Sequence, residues 1–258
     1  MRLFVFSVTV TLLASISSPV FAQLNKAAID DYDNTTIVGE MGLTVTNFGI
    51  IGEGWNNPDQ ASCRYKQYGT EREMIELMSY GGLWIGGKHV IDGIEQTPRV
   101  STAIVDGAFD YGEEGFEFTT DSSASDTIHT RSSISSNSTS PLAKYFSLDA
   151  VSHQDLLADF NDFDTLVNHL PLGVEIHLES YAWSHSFMES FVILDYTITN
   201  RTDNLDTLNV GWDIKDLFVG IWADGSVNNM NYKSRWEPGS GFSWYDNINS
   251  YERSYNVN

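Results

Sequence analysis

Glu175, His177 and Glu179 are spaced two residues apart. On a strand, side chains repeat every two residues, so the three project from one face. Two carboxylates around an imidazole can bind a metal or act as acid and base. His169 and His185 lie close by in sequence. Val174, Ile176 and Leu178 fill the alternate positions, so the same pattern also describes a half-buried strand with one solvated face. A glycosidase would need two carboxyl groups at a set separation, usually from different strands, and Asp195 is a third carboxylate available to such a pair. Asp159, Asn161, Asp162 and Asp164 cluster oxygen ligands, and calcium takes six to eight of them. No turn glycine or closing glutamate makes this an EF-hand, so a calcium site and a solvated acidic turn both remain open. Asp30, Asp31 and Asp33 form a weaker cluster. Trp236, Trp244 and Tyr245, followed by Tyr251 and Tyr255, lie in a Gly/Asn/Ser-rich stretch. They suit stacking on sugar rings or ordinary burial.

Other patterns dissolve on inspection. Gly82 to His89 nearly fits a P-loop, but His89 stands where a magnesium-binding Ser or Thr is required. Leu83, Trp84 and Ile85 are also too bulky for a phosphate cradle, so the segment reads as a buried strand flanked by glycines. Cys63 is the single cysteine, sits in no nucleophile signature and reads as a small buried or half-buried residue. No Gly-x-Ser-x-Gly, His-Glu-x-x-His or Cys-x-x-Cys occurs. No catalytic residue is assigned, and no cofactor is expected beyond calcium.

The elements that must position these residues are mostly strands. Leu43–Phe48 and Val174–Glu179 alternate, and Phe191–Thr199 is long and β-branched with Val192, Leu194, Tyr196 and Ile198 on one face. Asn200–Asn204 is a turn cluster, after which Leu208, Val210, Trp212 and Ile214 alternate with polar residues. This predicts an antiparallel hairpin with one buried face. Helix signals are few. Thr70–Glu73 has capping-box spacing ahead of Met74–Met78, which fits a helix of about ten residues or a tight turn into a strand. Ser152–Asp155 fits a second short turn. The predicted class is all-β: an antiparallel sandwich, Ig-like or jelly-roll-like, in one or two modules with very little helix.

The chain has 258 residues, enough for one large β domain or two smaller ones. A hydrophobic content of 41% with 13% aromatics excludes a disordered chain. Net charge is −21, from 35 acidic against 14 basic residues, which excludes nucleic acid and anionic membranes as partners. Met1-Arg2, the apolar run Leu3–Ile16 and Val20-Phe21-Ala22 form a secretory signal peptide. The run is too short to span a bilayer, which takes ~20 residues, and no transmembrane segment is expected in the mature chain. Residues 122–140 hold nine serines. The predicted layout is a leader at 1–22, an N-terminal β region at 23–120, a Ser-rich loop or linker at 121–141, and a β-sandwich region at 142–258.

Several segments carry a resemblance. They are Leu43-Thr-Val-Thr-Asn-Phe-Gly49, Gly81-Gly-Leu-Trp-Ile-Gly-Gly87, Arg99-Val-Ser-Thr102, Asp149-Ala-Val-Ser-His-Gln-Asp155, His169-Leu-Pro-Leu-Gly-Val174, Ser180-Tyr-Ala-Trp183, Phe191–Asn200 and Gly220-Ile-Trp-Ala-Asp224. Across roughly residues 40–230 the chain resembles uncharacterised large secreted β-rich proteins of Bacteroidetes-like bacteria, which often end in a type IX secretion sorting domain. The stretch from Phe191 to Val210 is also similar to Ig-like modules of bacterial surface proteins. The resemblance implies a secreted or cell-surface protein, and it supplies no catalytic residue. Members of that group continue well past the position of Asn258. The expectation is therefore an N-terminal part, truncated at the C-terminus, with an open sheet edge. The expected function is a non-catalytic binding or structural module for glycans or surface proteins. The alternative is a secreted polysaccharide hydrolase using paired carboxylates, such as Glu175 or Glu179 together with Asp195.

Overall fold

The computed structural model describes residues 33–52, 60–70, 73–104, 115–120, 127–164 and 169–229. Its strands are β1 (Asp33–Thr35), β2 (Met41–Thr46), β3 (Ile50–Ile51), β4 (Cys63–Tyr65), β5 (Ile75–Ile91), β6 (Ile94–Glu95), β7 (Arg99–Thr102), β8 (His129–Arg131), β9 (Gln154–Asn161), β10 (Val174–Ala182), β11 (Ile193–Asn200) and β12 (Asp213–Asn229). Among the described residues the only helical turns are two short 3-10 segments, Pro141–Tyr145 and Thr202–Asn204. The all-β expectation holds. Strands β1–β7 and β12 make an eight-stranded sheet, and β11-β10-β9-β8 make a four-stranded one, with every pairing antiparallel. The signal peptide lies outside the described residues. So do most of the first Ser-rich positions, whereas His129–Arg131 of that stretch forms the short edge strand β8.

The two sheets face each other across one apolar core. The small sheet contributes Leu156, Ala158 and Phe160 from β9 and Val174, Ile176 and Leu178 from β10. The large sheet contributes Leu43, Val45, Ile50, Ile51, Leu83 and Ile85. Phe118 meets Phe160 edge-on, with ring centroids 5.5 Å apart, a favoured aromatic geometry. Polar bonds stitch the flank where β1 approaches β9. Gln154 Oε1 accepts the Ile37 N–H at 2.6 Å, and Asn34 Nδ2 donates to Thr130 at 3.2 Å.

The glycines around Trp84 have a packing explanation. A Cβ on Gly82 would lie 2.7 Å from Ile104 Cγ2 and 2.9 Å from Ala103 Cβ, and one on Gly87 would lie 2.8 Å from Ile214 Cγ2. Neighbouring elements therefore approach β5 so closely that no side chain fits. The segment is a 17-residue strand.

Both short-turn expectations resolve into turns that launch strands. Glu73 Oε2 accepts the Thr70 N–H at 3.0 Å and the Thr70 hydroxyl at 2.7 Å, and β5 starts two residues later. Asp155 Oδ1 accepts the Ser152 N–H at 2.8 Å and its hydroxyl at 2.6 Å, directly at the start of β9. Capping-box chemistry is local, and here it closes one turn without a helix behind it.

The predicted hairpin does not form. The inward face of β11 is as expected, since Leu194, Tyr196 and Ile198 are half-buried against the core while Asp195, Thr197 and Thr199 are exposed. However, β11 pairs with β10, and the next strand, β12, crosses to the large sheet and pairs with β5. The connection is a clamped crossover. Thr202 Oγ1 accepts the Trp212 N–H at 2.7 Å and donates to the Trp212 carbonyl at 2.8 Å. Asn209 and Gly211 take positive φ of 52° and 77°, which breaks the extended backbone a hairpin arm requires. Leu208 and Val210, expected on a buried face, are exposed.

Candidate functional site

The outer face of the small sheet carries the row Glu175, His177, Glu179 and Tyr181 at alternate positions of β10, each half-buried above the fully buried residues between them. The register of β9 sets Asp159 opposite His177, and that of β11 sets Asp195 opposite Glu179. His177 Nδ1 lies 2.6 Å from Asp159 Oδ1, and its Nε2 lies 3.1 Å from Glu179 Oε1. Glu179 Oε2 also accepts the Tyr181 hydroxyl and Arg131 Nη2, the latter at 3.1 Å. Glu175 is 2.8 Å from Arg201 Nη1.

These contacts move the titration of the row. Partial burial disfavours a charged His177, but its bonds to Asp159 and Glu179 outweigh this and hold its pKa above the ordinary value. Partial burial of Glu179 acts upward, but hydrogen bonds from Tyr181 and His177 and the nearby Arg131 charge prevail and lower its pKa. Burial, followed by the bond to Glu179, pushes Tyr181 up to about 12. The row is thus an alternating ladder of acid and base in which every member has a partner.

Glu175 and Glu179 do not make a glycosidase pair with each other. Glu175 and Glu179 stand four residues apart on one strand, about 13 Å at the usual rise, whereas glycosidase pairs are ~5–9.5 Å apart. Glu179 and Asp195 sit directly opposite each other, at the ~5 Å of cross-strand neighbours. Yet the lowered pKa of Glu179 keeps it ionised, and its oxygens already serve three donors. A general acid needs the reverse, a raised pKa and a free proton, so in such a pair Glu179 could serve only as the ionised nucleophile.

The four predicted calcium ligands are not brought together. Asp159 points outward to His177. Asn161 is buried, and its Oδ1 accepts the Phe163 N–H. Asp164 is exposed, and its carbonyl lies 3.0 Å from His169 Nδ1. Asp162 is fully buried and serves as a clasp. Its Oδ2 accepts the Leu172 N–H at 2.7 Å and the Ser101 hydroxyl at 2.5 Å, and its Oδ1 accepts the N–H groups of Gly173 at 3.0 Å and Val174 at 2.8 Å. His169 Nε2 meets the same Ser101 oxygen at 3.0 Å. Ser, His and Asp therefore meet, but Ser101 and Asp162 are sealed from solvent, so the trio ties β7 of the large sheet to the loop that enters β10. Among the described residues, no three His, Cys, Asp or Glu side chains gather to hold a metal. Asp33 starts β1. Trp236, Trp244 and Tyr245, with Asp30 and Asp31, lie outside the described residues.

A second surface went unrecognised in the sequence. On the face of the large sheet opposite the core, β5, β7 and β12 form a depression of about 570 Å³. Trp84 faces Gly220 and Gly86 faces Phe218 across the strand pair, so two aromatics occupy one diagonal and two glycines the other. Val100, opposite Gly86 on β7, closes the side. Nothing approaches within 4 Å of where a Gly220 Cβ would stand, so the floor is open. Trp84 is fixed by donating Nε1–H to the Ile104 carbonyl at 2.7 Å. Lys88 and Asp216, paired at 2.8 Å, stand at the rim with Arg99. The available signal was Trp84 between Gly82 and Gly86 at period two, but its meaning depends on Phe218, far away in sequence.

Compared with protein-family models, curated proteins and solved structures, the chain matches none.

Proposed function

We propose that the chain is a secreted or cell-surface binding module without catalytic function, recognising a glycan or a surface protein. The observation that carries this reading is the depression floored by Gly86 and Gly220 and walled by Trp84, Phe218 and Val100. Flat aromatic faces beside an open floor accept the apolar face of a sugar ring, and the Lys88–Asp216 pair at the rim offers hydrogen bonds to its hydroxyls. The ladder on the opposite sheet supports the same conclusion, because its groups neutralise one another. Export rests on the leader-like residues 1–22. The test is titration of soluble β-glucans, xylans and pectins, read by tryptophan fluorescence and by release of reducing sugar. Saturable binding that Phe218→Ala and Trp84→Ala each weaken, with no sugar released, is expected. Sugar release abolished by Glu179→Gln would overturn the reading in favour of a hydrolase.

A further inference from the structure

Strand β12 is the edge of the large sheet. It pairs with β5 along its length, and among the described residues no strand pairs with its other side. Its apolar side chains are exposed on both faces. Val219 and Ile221 stand opposite Ile85 and Leu83, which are fully buried, and so share the core-facing side. They nevertheless remain 50% and 49% exposed, while Phe218, opposite Gly86 on the outer face, is 73% exposed. A body laid on either face would cover one set and leave the other wet. A strand added in the plane of the sheet covers both, and it takes up the outward row of N–H and C=O groups. Between the register shifts at Lys215/Phe218 and Asp224/Gly225, β12 keeps a regular stretch from Phe218 to Asp224, a typical strand length.

We propose that this edge takes an extended strand from a separate polypeptide, with apolar residues at alternate positions and Lys or Arg between them. Charge selects the occupant. The chain carries 35 acidic against 14 basic residues; on β12 itself Asp213 and Asp216 are exposed on either side of Lys215, and Asp195 is exposed on β11 of the other sheet. A second copy brings the same −21 and is repelled, whereas a basic strand is drawn in. This goes beyond the glycan-or-protein reading above and stands whether or not the Trp84 depression binds a sugar.

The probe is a ten-residue peptide alternating Val and Lys, compared at 0.15 M salt with Val/Glu and Gly/Lys peptides of the same length. The Val/Lys peptide is expected to bind at least about tenfold more tightly than either control. On binding it should protect the outward amides of β12 from hydrogen exchange. Val219→Lys combined with Ile221→Lys should abolish binding. Should that variant unfold, Val219→Thr with Ile221→Thr keeps strand propensity and should still weaken binding severalfold. Equal binding of the Val/Lys and Gly/Lys peptides would overturn the proposal, since that is attraction to the acidic chain alone. Dimerisation at micromolar concentration in sedimentation would overturn it in favour of a second copy. Outward β12 amides already protected in the free chain would overturn it in favour of the chain's own remaining residues.

Discussion

Replacing Asp162 by Asn changes one heavy atom at the centre of the link between the sheets. The aspartate oxygens receive four hydrogen bonds, three from the consecutive N–H groups of Leu172, Gly173 and Val174 and one from Ser101. In Asp162→Asn the remaining carbonyl oxygen can keep Gly173 and Val174, but as neutral bonds of roughly half the strength. The amide nitrogen then faces the Leu172 N–H, donor against donor. An orphaned buried donor costs ~1–3 kcal/mol, and loss of charge assistance on the other bonds adds about 1–2 kcal/mol. The sum is about 3 kcal/mol, or a fall in Tm of roughly 6–12 °C for a domain of this size. Urea denaturation monitored by circular dichroism reads the free energy directly. Asp164→Asn is the control, because that side chain is exposed and should stay within ~0.5 kcal/mol. A loss under about 1 kcal/mol for Asp162→Asn would mean that the clasp is not what fixes this loop. Chelator belongs to the same experiment. With all Asp162 oxygens occupied by the protein itself, EDTA should leave the wild-type Tm unmoved, and a drop of several degrees would reveal a bound ion.

Three other side chains give outcomes that can be measured one at a time. Burial, with Glu76 nearby, pushes the Cys63 thiol up to about 12, so iodoacetamide should leave the folded protein unmodified at pH 8 and label it once urea unfolds it. In a histidine NMR titration, the His177 ring should show a midpoint above 6.5, and Asp159→Asn should lower it. Because the folded pKa is raised, whatever stability His177 contributes is complete below 6.5 and is lost as the pH climbs past its midpoint, so a midpoint at or below 6.5 would refute the ladder. Glu76→Gln removes the carboxylate that lies 3.0 Å from the buried Arg64 guanidinium, which should cost ~3–5 kcal/mol in the same urea assay.

How far the fold was legible depended on how local its signals were. The alternation in Val174–Glu179 placed Ile176 and Leu178 in the core and Glu175, His177 and Glu179 outside, as the structure has them. Period-two patterns measure one face of one strand, and β10 is covered on one face only. The same rule failed at Leu208–Ile214, where the pattern was as clean but the backbone turns through left-handed φ at Asn209 and Gly211. Alternation cannot choose a strand's partner. β11 and β12 are consecutive strands, yet they belong to different sheets because the Thr202–Trp212 clamp turns the chain across the sandwich. The capping spacings at Thr70 and Ser152 were likewise real as hydrogen bonds, but a capped turn can lead into a strand as readily as into a helix.

The candidate sites obey the same logic. Acidic residues close in sequence, Asp159 to Asp164, diverge in space because a strand sends neighbours to opposite faces and the chain bends after Asn161. Residues that do converge, Trp84, Val100 and Phe218, are separated by up to 134 positions and are united only by cross-strand register. The ladder around His177 was legible as a set of residue types, but its consequence was not. Whether an Asp–His–Glu row catalyses or merely pairs depends on whether a lone pair or proton is left over. Here Asp159, Arg131, Tyr181 and Arg201 give each member of the row a partner. Among the described residues, no strand pairs with the outer side of the plain apolar edge at Val219 and Ile221, and the partner strand proposed above would pair there.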